Sequence, residues 1–413
     1  MKSLRIFAAA LLVSNLCVLP EAHAYVLNRT IAAAGGCPQV NAQRSSAGGV
    51  DRRWNTTLNS NIVTSAGGTS QRIAEVEAVI QESFAVWTAV GTGLAPSSLA
   101  ALTQIQNPTS NDCNALDGFN TICFNQTASF SSSVLAFTTT VTSDQIGETL
   151  GNKQSQFIGQ ILDADVLFNT SSSSGFSFAT PSALPSNLSS FDLESVLIHE
   201  LGHFFGFSHS GVLRAMMYPF APPRGQFTGD RPTAQAPDAP LAEDDRAGLR
   251  VLYPNPQDPN IGVIRGRVLP ANPISLAAGV AAQPTPGPLT GMWGTHVVAV
   301  DADTGAVVAG TLGGWSCNPA SPPTQFDGTF VIEGLPVGTA QNPRRYKLFV
   351  EPLDSPTDAS NISNALRDLC RPTSPTPCRV PCNPEGAFCD FDSQGNPRGN
   401  PVVNTNFSTK VRP

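Results

Sequence analysis

Residues His199 to His209 read HELGHFFGFSH, and this stretch decides how the rest of the chain is read. On an α-helix His199 and His203 lie four residues apart, so both imidazoles leave the same face and can reach one metal ion. Gly206 can take the left-handed backbone that turns the chain out of the helix, letting His209 return as a third ligand. Three neutral imidazoles leave a zinc ion its full charge and one position open to water, and Glu200 stands beside the first ligand to move a proton. Together these are the parts needed to hydrolyse a peptide bond, with His199, His203 and His209 as metal ligands and Glu200 as general base. A closed structural zinc site would need a fourth protein ligand and has no use for Glu200. His23 and His296 are the only other histidines among the five in the chain, so a single zinc is expected.

Composition sets the frame around this motif. A chain of 413 residues is long enough for two domains. Charged residues make up 13% and the net charge is −7, which argues against a nucleic-acid partner. Residues 1–24 carry Lys2 and Arg5, an apolar run from Ile6 to Val13 and the small-residue ending Ala22-His23-Ala24, the pattern of a secretory signal peptide. The expected location is therefore extracellular, periplasmic or at the cell surface. No later run reaches the length of a membrane span. Eight cysteines follow Cys17, an even number that fits disulfides in an exported chain. Cys113 and Cys123 are placed to close a local loop, Cys370, Cys378, Cys382 and Cys389 crowd the tail, and the connectivity is open.

Residues 25–50 read as a short pro-segment or an irregular N-terminal arm. A strand over 53–58 with Trp54 as packing residue comes next. Ile73, Val76, Ile80, Phe84 and Trp87 then recur at helical spacing and predict a helix over 71–90, with Ser70 as its cap and Gly91 at its end. Strands are expected at 119–125, 133–140 and 160–168, the last with one face buried through Leu162, Ala164, Val166 and Phe168. The histidine helix should begin near Asp192 and pack through Leu193, Val196, Leu197 and Leu201. A Pro-rich loop over 219–240 leads to a helix from Leu241 to Tyr253 with acidic residues in its first turn, and Pro254, Pro256 and Pro259 mark a linker. Short β runs at 261–268, 295–301, 306–311, 329–332 and 346–350 suggest a small β-sandwich over 256–355. The Cys- and Pro-rich tail, 356–413, predicts no regular structure.

Ser210 directly after the third histidine, the turn Ala215-Met216-Met217-Tyr218-Pro219 and the LxxDDxxGLxxLY pattern from Leu241 to Tyr253 resemble the matrixin branch of the metzincin zinc endopeptidases, which includes the matrix metalloproteinases. The resemblance implies an α+β catalytic domain over 51–255, a twisted mixed sheet with a few long helices, and places Met217 in the turn under the zinc. It also implies that Ser133 to Thr140 is the sheet edge that pairs with extended protein or peptide substrate, giving Leu135, Ala136, Phe137, Tyr218, Pro219 and Phe220 as cleft residues. Phe137 stands near the place of a histidine that binds a second, structural zinc in the animal enzymes. Asp117, Asp163 and Asp165, hard oxygen ligands near turns, leave calcium open. Cys37 lacks the flanking residues of the latency motif in those enzymes and reads better as a disulfide partner. The second unit resembles carboxypeptidase regulatory-like modules of transthyretin-type, all-β fold through Ile264 to Val268, Val298 to Gly305 and Asp327 to Gly338, and such a module would bind a surface, matrix component or partner protein. The reading that follows is a secreted zinc endopeptidase, with a zinc-bearing adhesin or matrix-binding protein as the alternative.

Overall fold

In a computed structural model, the described residues are 42–105, 116–124, 134–258, 260–268, 295–313 and 329–352, with Leu27, Cys113, Phe130 and four two-residue strands at 316–317, 324–325, 390–391 and 397–398. Residues 1–24, over which a signal peptide is expected, Cys37 and the tail cysteines lie outside them.

The first unit is built on a five-stranded mixed sheet. In chain order its strands are β1 (Val50–Asn55), β2 (Leu99–Gln104), β3 (Thr121–Cys123), β4 (Ala136–Thr142) and β5 (Ile161–Phe168), arranged β2-β1-β3-β5-β4. All pairs are parallel except β4 with β5, so the sheet ends in one antiparallel edge. The alternation in β5 predicts one buried face, but all eight residues are buried. The strand lies between β3 and β4, and both of its faces are covered. Its polar residues Asp163 and Asp165 are accommodated by accepting backbone N–H bonds from Asp117, Gly118 and Thr121. Strand β2, absent from the sequence reading, is short and alternates weakly, with no residue fully buried.

Helix α1 (Thr69–Thr88) lies against α2 (Leu193–Phe205). It starts earlier than the capping pattern predicts: the cap position is Gly68, which has no side chain to offer, and Ser70 lies inside the first turn. The apolar stripe is as read, with Phe84 edge-on to Phe204 at 5.5 Å and Trp87 donating its Nε1–H to the Ile198 carbonyl at 2.9 Å. Cys113 and Cys123 form a disulfide, which closes the loop before β3. The described part of the N-terminal arm packs on this unit: Ser45 N–H donates to the Tyr253 hydroxyl at 2.9 Å, and its own hydroxyl donates to the Phe204 carbonyl at 3.0 Å.

After helix α3 (Glu243–Leu252), the second unit contributes β6 (Ile261–Arg267), β7 (Thr295–Asp301), β8 (Val307–Gly313), β9 (Thr329–Pro336) and β10 (Tyr346–Pro352). β6 pairs antiparallel with β9, and β8-β7-β10 form an antiparallel sheet with β8 at one edge. β8 and β9 lie against α3. Val297, Ala299, Val308, Ala309, Phe330 and Ile332 join the same hydrophobic core as the first unit, so the linker prolines do not separate two independent cores. Among the described residues, no helix is long and apolar enough to cross a membrane.

Candidate metal centre and active site

The histidine helix is held at both ends. Asp192, its N-cap, accepts the Ser195 N–H at 2.8 Å, and Arg231 pairs with both Asp192 and Glu194. At the other end Gly206 has φ 110°, a backbone that a side chain would strain, and a Cβ there would run into the Gln43 carbonyl of the N-terminal arm. The chain therefore turns sharply at Gly206, as the motif spacing predicts, and returns His209 to the helix face.

The three imidazoles converge. One ligand atom from each of His199, His203 and His209 lies within 4.8 Å of the others, the only such group of three or more His, Cys, Asp or Glu among the described residues. Nδ1 of His199 is 2.7 Å from the Met216 carbonyl, and Nδ1 of His203 is 2.8 Å from the Phe207 carbonyl. A carbonyl only accepts, so both Nδ1 atoms carry the proton and both Nε2 atoms keep a lone pair for a metal. Burial, with His209 alongside, holds His199 down to about 3 and His203 well below its ordinary value, so both rings stay neutral near pH 7. Two neutral nitrogen donors with fixed tautomers, converging with a third imidazole, fit a zinc ion.

Next to His199 the chain from Val212 to Tyr218 makes two successive turns, with Ala215 N–H donating to the Val212 carbonyl and Tyr218 N–H to the Ala215 carbonyl, each at 3.1 Å. Met217 lies against the helix where Gly202 has no side chain: a Cβ on Gly202 would collide with the Met217 sulfur and stand 3.0 Å from Trp87 Cζ2. Asp245 anchors the turn by accepting the Met216 N–H at 2.8 Å and the Met217 N–H at 3.2 Å, while also accepting the Ala242 N–H at 2.8 Å. Ser210 N–H donates to the Met217 carbonyl at 2.7 Å, and its hydroxyl donates to Asp244 at 2.6 Å. The two acids appear in the sequence as a favourable first turn of α3. Their larger task is to hold the segment after His209 and the methionine turn, which spacing along the chain does not reveal.

Glu200 is buried and faces β4. The Thr138 hydroxyl lies 2.8 Å from Glu200 Oε2 and 3.0 Å from its carbonyl oxygen, so one hydroxyl proton serves two acceptors. Burial pushes the Glu200 carboxyl up to about 7 against that hydrogen bond. Thr138 is missing from the cleft residues taken from sequence, although strand alternation could have found it, being one step from Phe137. Phe137 itself points to the opposite face, 4.9 Å from Phe130 and against Cys113, Cys123 and Leu167. Ala136 is buried, Leu135 half-buried, and Tyr218 and Pro219 are half-exposed. The Phe220 ring is exposed, 5.7 Å from Tyr218. Asp117, Asp163 and Asp165 form no metal-type group: Asp163 and Asp165 accept backbone N–H bonds, and Asp117 pairs with Arg53 at 2.6 Å.

The fold and the triad define a mixed α/β domain in which three histidines that could hold a metal ion lie on, or just after, the helix that contacts the antiparallel sheet edge. Residues 136–254 match the Matrixin family, which supports a matrixin-like domain over this part of the chain. The chain is similar to Metalloendoproteinase 1 of Glycine max, 48% identical over 65 residues that cover 16% of this chain and 18% of the relative. It is also similar to Metalloendoproteinase 1-MMP of Arabidopsis thaliana, 42% identical over 67 residues covering 16% of this chain and 15% of the relative, and to Metalloendoproteinase 4-MMP of the same plant, 40% over 62 residues and 15% of each. The chain thus matches less than a fifth of the length of these curated relatives.

Proposed function

We propose that this protein is a secreted zinc-dependent endopeptidase that binds extended peptide along the edge of β4 and hydrolyses it with Glu200 as general base. The observation that carries the reading is the tethering of His199 and His203 through Nδ1, which leaves their Nε2 atoms free to meet His209 beside a buried carboxyl. Zinc bound there supplies Lewis-acid polarisation of a carbonyl and lowers the pKa of water. The protein's own part is to keep His199 and His203 neutral and fixed beside His209, to place Glu200 where it can take a proton and return it to the leaving amine, and to offer a strand edge. Among the described residues β4 is an outer strand of the sheet, so its outward backbone groups can pair with an extended chain, while Tyr218, Pro219 and Phe220 are read as flanking the site and shaping the pocket. Zinc is the catalytic cofactor of this reading.

Secretion rests on the N-terminal pattern of residues 1–24 and agrees with the Cys113–Cys123 disulfide, since such bonds persist in oxidising compartments. The β-unit, 256–355, is read as a transthyretin-like module. A diverse peptide library incubated with the zinc-loaded protein tests the reading: cleavage that a chelator abolishes and zinc restores is expected. A zinc-loaded protein that cleaves no member favours the adhesin instead.

A further inference from the structure

We propose that the β-unit is a working part of the zinc site: through Gly310 and His296 it braces the segment Ser210–Val212, and so His209, by way of Asp244. The inference rests on the reading of His209 as a zinc ligand. It starts from the two oxygens of one buried carboxyl. Asp244 Oδ2 accepts the Ser210 hydroxyl at 2.6 Å, and Oδ1 accepts the Gly310 N–H at 2.8 Å. Only 1% of Asp244 is exposed, so each oxygen depends on its protein partner. β8 is an edge strand of its sheet, and the Gly310 N–H is directed out of that edge into the first unit.

A second contact runs beside the first. His296 is buried on β7, and its ring lies between Gly211 and Gly310: a Cβ on Gly211 would stand 3.1 Å from His296 Nε2, and one on Gly310 would collide with that atom and stand 2.9 Å from Val212 Cγ2. Neither glycine here needs an unusual φ. Both leave room for close approach of the two units at the residues following the third ligand. The Ser210 hydroxyl also accepts the Val212 N–H at 3.0 Å, so the brace extends through the segment. Asp244, Gly310 and His296 are therefore positioning residues, acting on the metal through the backbone that carries His209. Groups bonded directly to a metal ligand typically change metal affinity about 10- to 100-fold when removed, and a brace on the residue after His209 is expected at the lower end of that range.

The test uses the full-length protein and three variants: Gly310→Ala, Asp244→Asn and Arg250→Ala. Arg250 reaches the same β-unit through the Gly334 carbonyl at 3.1 Å, away from the histidines, and serves as the control for loosening the contact in general. The readouts are the rate of zinc transfer to a chromogenic chelator and the visible absorption bands of the cobalt-substituted protein, with thermal melting alongside. Gly310→Ala and Asp244→Asn are expected to speed zinc transfer about tenfold or more and to shift the cobalt bands. Arg250→Ala is expected to lower the melting temperature and leave both metal readouts as in the parent protein. Parent-like zinc transfer in both Gly310→Ala and Asp244→Asn overturns the inference, as does an equal acceleration in Arg250→Ala. If the parent protein itself holds no zinc, the site reading falls and this inference with it; a parent with one zinc and insensitive variants sinks the inference alone.

Discussion

Two pairs of buried aspartates invite comparison. Asp163 and Asp165 lie in the middle of β5, and Asp244 and Asp245 in the first turn of α3. The environments are alike: burial pushes Asp165 up to about 8, with Asp163 adding to it, while burial pushes Asp244 up to about 7 and Asp245 up to about 6. Both pairs accept backbone N–H bonds. They differ in what those bonds hold. The β5 pair fixes the turn at 117–121 against the sheet, a local matter of shape. The α3 pair fixes the methionine turn, the residue after His209 and an edge strand of the β-unit. A buried carboxyl is thus a general device for holding a loop, and its functional weight comes from the loop it holds.

The comparison breaks most readily at Asp245. Asp245→Ala leaves the N–H groups of Met216, Met217 and Ala242 without their acceptor, and is expected to cost about 2–5 kcal/mol of stability and to weaken zinc retention; urea unfolding and zinc analysis of the purified variant measure both. Asp163→Ala, which strands the N–H groups of Asp117 and Gly118, is expected to cost about 1–3 kcal/mol with zinc retention unchanged. Loss of zinc from the Asp163 variant would erase the distinction between the pairs. A third test concerns pH. The Asp165 carboxyl has its pKa raised in the folded state, so the folded protein holds a proton that the unfolded chain releases. Its contribution is fully present below the ordinary carboxylate range and is lost as pH rises through about 8. Asp165→Asn should flatten that part of the profile, seen as a smaller fall in the urea midpoint between mildly acid and mildly alkaline pH.

How much of this was legible in the sequence follows from the same contrast. The helix stripe of α1, the cap at Asp192, the turn at Gly206 and the convergence of the three histidines are local patterns, set by periodicities of 3.6 residues and by one glycine. The strands of the second unit were legible from their turns and alternation. What escaped was non-local. Thr138 meets Glu200 across 62 residues, and Asp244 meets Gly310 across 66. The full burial of β5 was hidden because its alternating aspartates look solvent-facing until their amide partners come into view. Ser70 is a good capping type but stands two residues after the cap, the chain entering α1 at Gly68 instead.

On the proposed reading Glu200 moves the proton while the three histidines hold the metal. The measurement that meets it most directly is hydrolysis of a cleavable peptide by Glu200→Ala, with zinc counted in the same sample. Zinc at one per chain with hydrolysis reduced about 10²- to 10⁴-fold or more is the expected result. Turnover equal to that of the parent protein, with zinc still bound, would contradict the account.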